Sequence, residues 1–132
     1  MTIRKFEDLD LWKNARELCK KIREIINTTV LQKDYALKDQ ILRSSGSVMD
    51  TIAEGFERDG NKEFTQFLYI SKGSLGETRS QIHRCFDSGY LSELKYNELI
   101  TDCLNLSGQI SNLITYLHKS EIQGLKKEIY LV

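Results

Sequence analysis

The chain has no proline in 132 residues, where average usage of roughly 5% would give about six. Proline ends helices and punctuates loops, so its absence speaks against a fold of many turns and for long helices joined by short connections. Cysteine is scarce: Cys19, Cys85 and Cys103 are odd in number, widely spaced and free of any CxxC pairing. That pattern excludes a disulfide framework and reads as three small buried thiols. His83 and His118 are the only histidines, with no HxxxH spacing, so no metal or other cofactor is expected. Neither sign of charge prevails, with 19 Lys+Arg against 19 Asp+Glu. No apolar run reaches the roughly 18 residues of a membrane span. The opening Met1-Thr2-Ile3-Arg4-Lys5-Phe6-Glu7-Asp8 lacks the apolar core of a signal peptide, and the expected location is the cytoplasm.

What is present is helical periodicity. At 40% hydrophobic residues the chain can build a core, and its length suits one domain. Trp12, Ala15, Leu18, Cys19, Ile22, Ile25 and Ile26 give the three-then-four spacing of one helix face over about Asp8 to Asn27. A second segment, about Asp34 to Arg58, carries an apolar stripe of Leu37, Ile41, Ser45, Val48, Ile52 and Phe56. Beside it runs a polar stripe of Gln40, Ser44, Ser47, Thr51 and Glu54, which requires partners wherever it is buried, since an unpaired buried polar group costs about 1–3 kcal/mol. Asp59-Gly60-Asn61 is the clearest turn, with Asn61 suited to cap the third segment, Lys62 to about Ser88. Gly89 stands where a helix end favours a left-handed residue. Ser92 is an N-cap for a fourth segment reaching about Lys119, through Leu99, Cys103, Leu106, Ile110, Leu113 and Leu117. The reading is all-α, an antiparallel up-down-up-down four-helix bundle over residues 1–119. Residues 120–132 form a tail whose Ile129-Tyr130-Leu131-Val132 suits docking, strand pairing or neither.

Folding the second and third segments back about Gly60 places residues whose numbers sum to about 120 at one level. Ser47 then meets Gly73, Gly46 meets Ser74, and Arg43 falls opposite Glu77. The expectation is a close approach of two helix backbones through small residues, with a buried Arg43–Glu77 ion pair. Catalysis finds little support. Gly73-Ser74-Leu75-Gly76 lacks the lysine-serine ending and preceding strand of a phosphate loop. His83, Cys85 and Asp87 lie two apart, so their side chains diverge on a helix, and a nucleophile needs its base within hydrogen-bond reach. No Glu-x-x-His pair suggests a di-iron site. The local charge exception is Lys13, Arg16, Lys20, Lys21 and Arg23, five cations against Glu17 and Glu24. This is either a solvated face or a basic stripe that a symmetric oligomer would concentrate.

Tyr35-Ala36-Leu37, Gln40-Ile41-Leu42-Arg43-Ser44-Ser45, Ser47-Val48 and Ile52-Ala53-Glu54-Gly55, followed by Glu63-Phe64, Phe67-Leu68, Ile70-Ser71, Gly73-Ser74-Leu75 and Glu77, form a dense pattern. It resembles the signature of the four-helix-bundle proteins of bacterial 23S rRNA intervening sequences, the so-called S23 ribosomal protein family. Phe6-Glu7-Asp8-Leu9 with Trp12, and Gly89-Tyr90-Leu91, extend the likeness over roughly residues 3–118. Thr51 stands where that family usually has asparagine, and its usual proline between the first two helices is missing. The resemblance implies a homopentamer and no enzymatic activity. It also implies a likeness in fold to the accessory variability protein of diversity-generating retroelements, which binds nucleic acid and a reverse transcriptase through basic surfaces. Gln40, Arg43, Ser47 and Glu54, with Gly73, Ser74 and Glu77 at the edge of the third helix, would then line structural and subunit contacts. Two readings follow. One is a non-catalytic oligomer contacting RNA or DNA through Lys13, Arg16, Lys20, Lys21 and Arg23. The other is an oligomeric scaffold for a protein partner.

Overall fold

Helix α1 (Asp10–Thr28) turns Leu11, Trp12, Ala15, Leu18, Ile22, Ile25 and Ile26 inward, the face its spacing dictates. The computed structural model describes residues 2–122 and 129–130. Helices α2 (Tyr35–Glu57), α3 (Asn61–Asp87) and α4 (Glu93–Ile122) complete the bundle. Sequential neighbours pack together and α1 closes against α4, with the α2–α3 pair in the most extensive contact and α1–α4 in the least. The architecture is the up-down-up-down bundle that four amphipathic segments and short connections require.

The helix ends follow local chemistry. Thr28 ends α1, and Thr29 Oγ1 accepts from the Leu31 amide at 3.3 Å to start a 3-10 turn over Val30–Lys33. The Asp34 carboxylate caps α2 by accepting from the Leu37 amide at 3.3 Å, and its other oxygen accepts from the Tyr90 hydroxyl at 2.8 Å. That bond ties the first and third connections together. At the end of α3 the Tyr90 amide donates to Cys85 O at 3.0 Å and the Gly89 amide to Phe86 O at 2.9 Å, with Gly89 at φ +79°. This is the Schellman arrangement, and only glycine holds it without strain. The Ser92 hydroxyl caps α4 by accepting from the Lys95 amide at 3.2 Å. Asn61, expected as the cap of α3, is instead its first residue. Gly60 (φ +96°) occupies the cap without a side-chain bond, and the Asn61 amide is buried with neither Oδ1 nor Nδ2 partnered.

Phe64, Leu68, Ile52, Val48, Ile22, Ile82 and Ile110 are fully buried in one continuous core, each such side chain contributing about 1.5–3 kcal/mol by leaving water. Among the tail residues, Ile129–Tyr130 (β2) pairs antiparallel with Thr2–Ile3 (β1), Thr2 opposite Tyr130 and Ile3 opposite Ile129. Strand pairing is thus the outcome at the described part of the tail. Leu131 and Val132 lie outside the described residues.

Candidate functional site

The α2–α3 seam is held by hydroxyls. Ser71 donates to Val48 O at 2.8 Å, Ser47 and Ser74 share a bond of 2.9 Å, and Thr78 donates to Ser44 Oγ at 2.9 Å. Ser44 in turn donates to Gln81 Oε1, and Arg84 donates to Gln40 Oε1 at 2.8 Å. Gln40, Ser44 and Ser47 of the polar stripe therefore find partners on α3, Ser47–Ser74 and Ser44–Thr78 close to the level that folding about Gly60 requires, whereas Thr51 donates back to Ser47 O at 2.6 Å on its own helix. The small residues act differently from expectation. A Cβ on Gly46, Gly73 or Gly76 would meet nothing within 4 Å, so these glycines do not mediate a close approach. Among the described residues the one tight glycine is Gly55, where a Cβ would stand 2.6 Å from Phe67 Cβ. The Arg43–Glu77 pair is also absent: both side chains are exposed and no ion pair joins them. Water solvates two such charges better than a small-residue contact would. Glu54 pairs along its own helix with Arg58 at 3.5 Å, both half or more exposed, a contact of a few tenths of a kcal/mol.

The predicted basic stripe divides. Lys13, Arg16, Lys20 and Arg23 are exposed on the outer face of α1, whereas Lys21 turns toward α4. Lys13 lies 4.0 Å from Asp10 and Lys20 lies 3.2 Å from Glu17. The Arg16 guanidinium sits 5.8 Å from the centre of the Trp12 ring, and Arg23 makes no ion pair with a described residue. Lys21 Nζ is 2.7 Å from Asp102 and 3.7 Å from Glu98, and the Asp102 bond pushes its pKa up. Glu98 is held below the usual carboxylate range, first by the Lys95 bond at 3.0 Å and then by Lys21. Lys21 and Asp102 bridge a polar groove of about 330 Å³ between α1 and α4, where Asn14 also donates to Gln109 Oε1 at 2.8 Å. The loose α1–α4 contact is thus closed by polar groups.

No catalytic arrangement forms among the described residues. Cys85 and Cys103 are buried thiols, pushed up to about 11 and about 12 by burial. Cys19 is half-buried and donates to Ser45 O at 3.3 Å, a partial departure from three fully buried thiols. His83 Nδ1 and the Tyr96 hydroxyl share a bond of 2.7 Å on the exposed side of α3, turned away from Cys85. Among the described residues no group of three or more His, Cys, Asp or Glu is placed to hold a metal ion, and no helix is long and apolar enough to cross a membrane. A second groove, of about 140 Å³ between α3 and α4, is lined by Lys72, Leu75, Gly76, Arg79, Cys103 and Ser107. Sequence reading missed it because Lys72 and Arg79 lie two helical turns apart and each looks alone like a solvated charge. Only the packing of α4 brings Ser107 beside them.

Fold and surface together define a four-helix bundle whose described residues assemble no reactive centre. The sequence profile of the 23S rRNA-intervening sequence proteins matches residues 7–112, and the chain belongs to that family. Among solved structures it is similar to a protein of unknown function from the S23 ribosomal protein family of Bacteroides thetaiotaomicron VPI-5482. The two are 20% identical with a TM-score of 0.71, over 79% of this chain and 97% of that one. No curated protein matches the chain.

Proposed function

We propose that the protein is a non-catalytic homo-oligomeric bundle, a pentamer by family resemblance, that serves in the cytoplasm as a nucleic-acid-binding accessory. The observation carrying this reading is the outer face of α1, where Arg16, Lys20 and Arg23 stand exposed in one row and Arg23 has no acidic partner. Lys20 keeps only an exposed contact to Glu17, which is worth little and gives way readily to a phosphate. Symmetric repetition would bring such rows together and raise the local potential. Self-association is supported by α4, which carries no charged residue from 103 to 117 while Leu104, Gly108, Asn112 and Thr115 lie exposed. Charge-depleted surfaces of this kind are typical of interface centres. The competing reading, a protein scaffold without a nucleic-acid role, is favoured by Lys21, whose charge is spent on Asp102 and Glu98 across the solvent-accessible α1–α4 groove.

Fluorescence anisotropy with single-stranded RNA and duplex DNA across a salt series separates the two. Binding should weaken steeply with salt, and Arg16→Glu, Lys20→Glu and Arg23→Glu should each lower the log–log slope by about 1. Binding absent at low salt, or untouched by all three variants, rejects the α1 assignment. Light scattering coupled to size exclusion gives the subunit number, and a monomer at working concentration rejects the assembly.

A further inference from the structure

Among the described residues four Lys or Arg side chains are half-buried: Lys21, Lys38, Arg79 and Lys95. Three have partners. Lys21 is bound by Asp102 at 2.7 Å, Lys95 by Glu98 at 3.0 Å, and Lys38 lies 4.9 Å from the centre of the Tyr35 ring. Arg79 has neither hydrogen bond nor ion pair with a described residue. A charge drawn partly out of water ordinarily acquires a partner, so an unpartnered, half-buried guanidinium lacks its counter-charge.

The groove it lines supplies the rest of a site. Lys72, seven residues earlier on α3 and about 10.5 Å along the axis, is likewise unpaired. Ser107 contributes a hydroxyl from α4 that makes no hydrogen bond of its own. Gly76, between the two cations, has open space where a Cβ would be. No carboxylate lines the groove; the nearby Asp102 is engaged with Lys21 on the opposite flank of α4. Its volume of about 140 Å³ corresponds to roughly five water molecules at about 30 Å³ each, room for one tetrahedral oxyanion and part of its hydration. An Arg fork and a Lys point charge together suit a doubly charged group better than a single carboxylate.

We propose that the α3–α4 groove binds a phosphate group, with Arg79 and Lys72 as its counter-charges and Ser107 as a hydroxyl donor. The site is separate from the α1 face and does not rest on the function proposed above. The phosphate belongs either to a small ligand or to a nucleic-acid backbone, and the experiment distinguishes them. Amide chemical shifts of the full-length protein are followed during titration with inorganic phosphate and, separately, with a single-stranded oligothymidylate. Inorganic phosphate should give saturable shifts at Gly76 and Ser107 in the millimolar range. In Arg79→Gln/Lys72→Gln its affinity should fall about tenfold or more, with an unchanged circular dichroism spectrum showing that the variant is folded. Shifts at the same amides with the oligonucleotide identify a backbone phosphate, and their absence there a small ligand. No saturable response of the wild type to phosphate, an equal response to chloride at matched ionic strength, or a folded double variant that responds as the wild type does each overturns the proposal. Oligonucleotide binding that depends on α1 alone leaves the proposed function standing while the phosphate arm decides this site.

Discussion

Alanine substitution at the helical glycines should change stability in opposite directions depending on what faces each one. In a helix interior alanine is favoured over glycine by about 0.5–1 kcal/mol. At Gly46 and Gly73 nothing lies within 4 Å of the added carbon, so that gain should appear undiminished. At Gly55 the new Cβ would stand 2.6 Å from Phe67 Cβ, about 1 Å inside normal carbon–carbon contact. Phe67 Cβ is anchored to the α3 backbone and cannot swing aside, so the two helices must separate. Overpacking of this kind costs about 1–3 kcal/mol. Separation also lengthens the Ser71–Val48 and Ser47–Ser74 bonds, now 2.8 and 2.9 Å, each worth about 1 kcal/mol. Against the helix-propensity gain, Gly55→Ala should lose about 2 kcal/mol net. For a chain of this size 1 kcal/mol moves the melting temperature by about 3–5 °C, so urea and thermal unfolding followed by far-UV circular dichroism resolve both signs. Gly55→Ala at or above the wild type, or Gly46→Ala and Gly73→Ala both below it, would refute the reasoning.

Other substitutions probe the buried polar groups. Asn61→Leu replaces a buried amide with two unpartnered atoms by an apolar group of similar size. It should raise stability by about 1 kcal/mol, read as a higher urea midpoint at unchanged m, and a loss would show that the amide has a partner. Thr78→Val removes the donor to Ser44 Oγ and to Ser74 O and should cost about 1–2 kcal/mol. A double-mutant cycle with Ser44→Ala should be non-additive, and strict additivity would dissolve the network. Cys85 and Cys103 have folded pKa values raised by burial above the ordinary 9.0. The unfolded chain therefore loses these protons first, so the contribution of the two thiols to stability should be flat below about pH 8.5 and decline as pH rises from there toward 11–12. Replacing both by alanine should flatten that decline, and a slope that survives the replacement would assign it to other groups. In the native protein both thiols should also resist iodoacetamide at neutral pH until unfolding exposes them.

Much of the fold was written locally. The period of Leu18, Ile22, Ile25 and Ile26, the cap at Ser92 and the left-handed Gly89 each act within a few residues, so they can be read without knowing what packs where. The dense run from Gln40 to Glu77 likewise carried the family likeness. The turn at Gly60 fixed the α2–α3 level, so the pairings of Ser47 with Ser74 and of Ser44 with Thr78 followed to within a turn of helix, while the Ser44–Gln81 bond lies more than a turn away from that level. What the sequence left open was the direction and distance of side chains across helices. Level alone does not say whether Gly46 and Gly73 point at each other or at solvent, nor that Arg43 and Glu77 lie exposed and unpaired. Asn61 had the right residue type for a cap, but the positive φ of Gly60 moved the helix start by one residue.

The candidate surfaces divide in the same way. The excess of cations in α1 belongs to the sequence, because composition along one helix is a local property. The diversion of Lys21 to Asp102 and Glu98, the isolation of Arg79, and its meeting with Lys72 and Ser107 were decided only by tertiary structure. They depend on how α4 lies against α1 and α3, and electrostatic partnership is set by separations of a few ångströms between residues far apart in the chain.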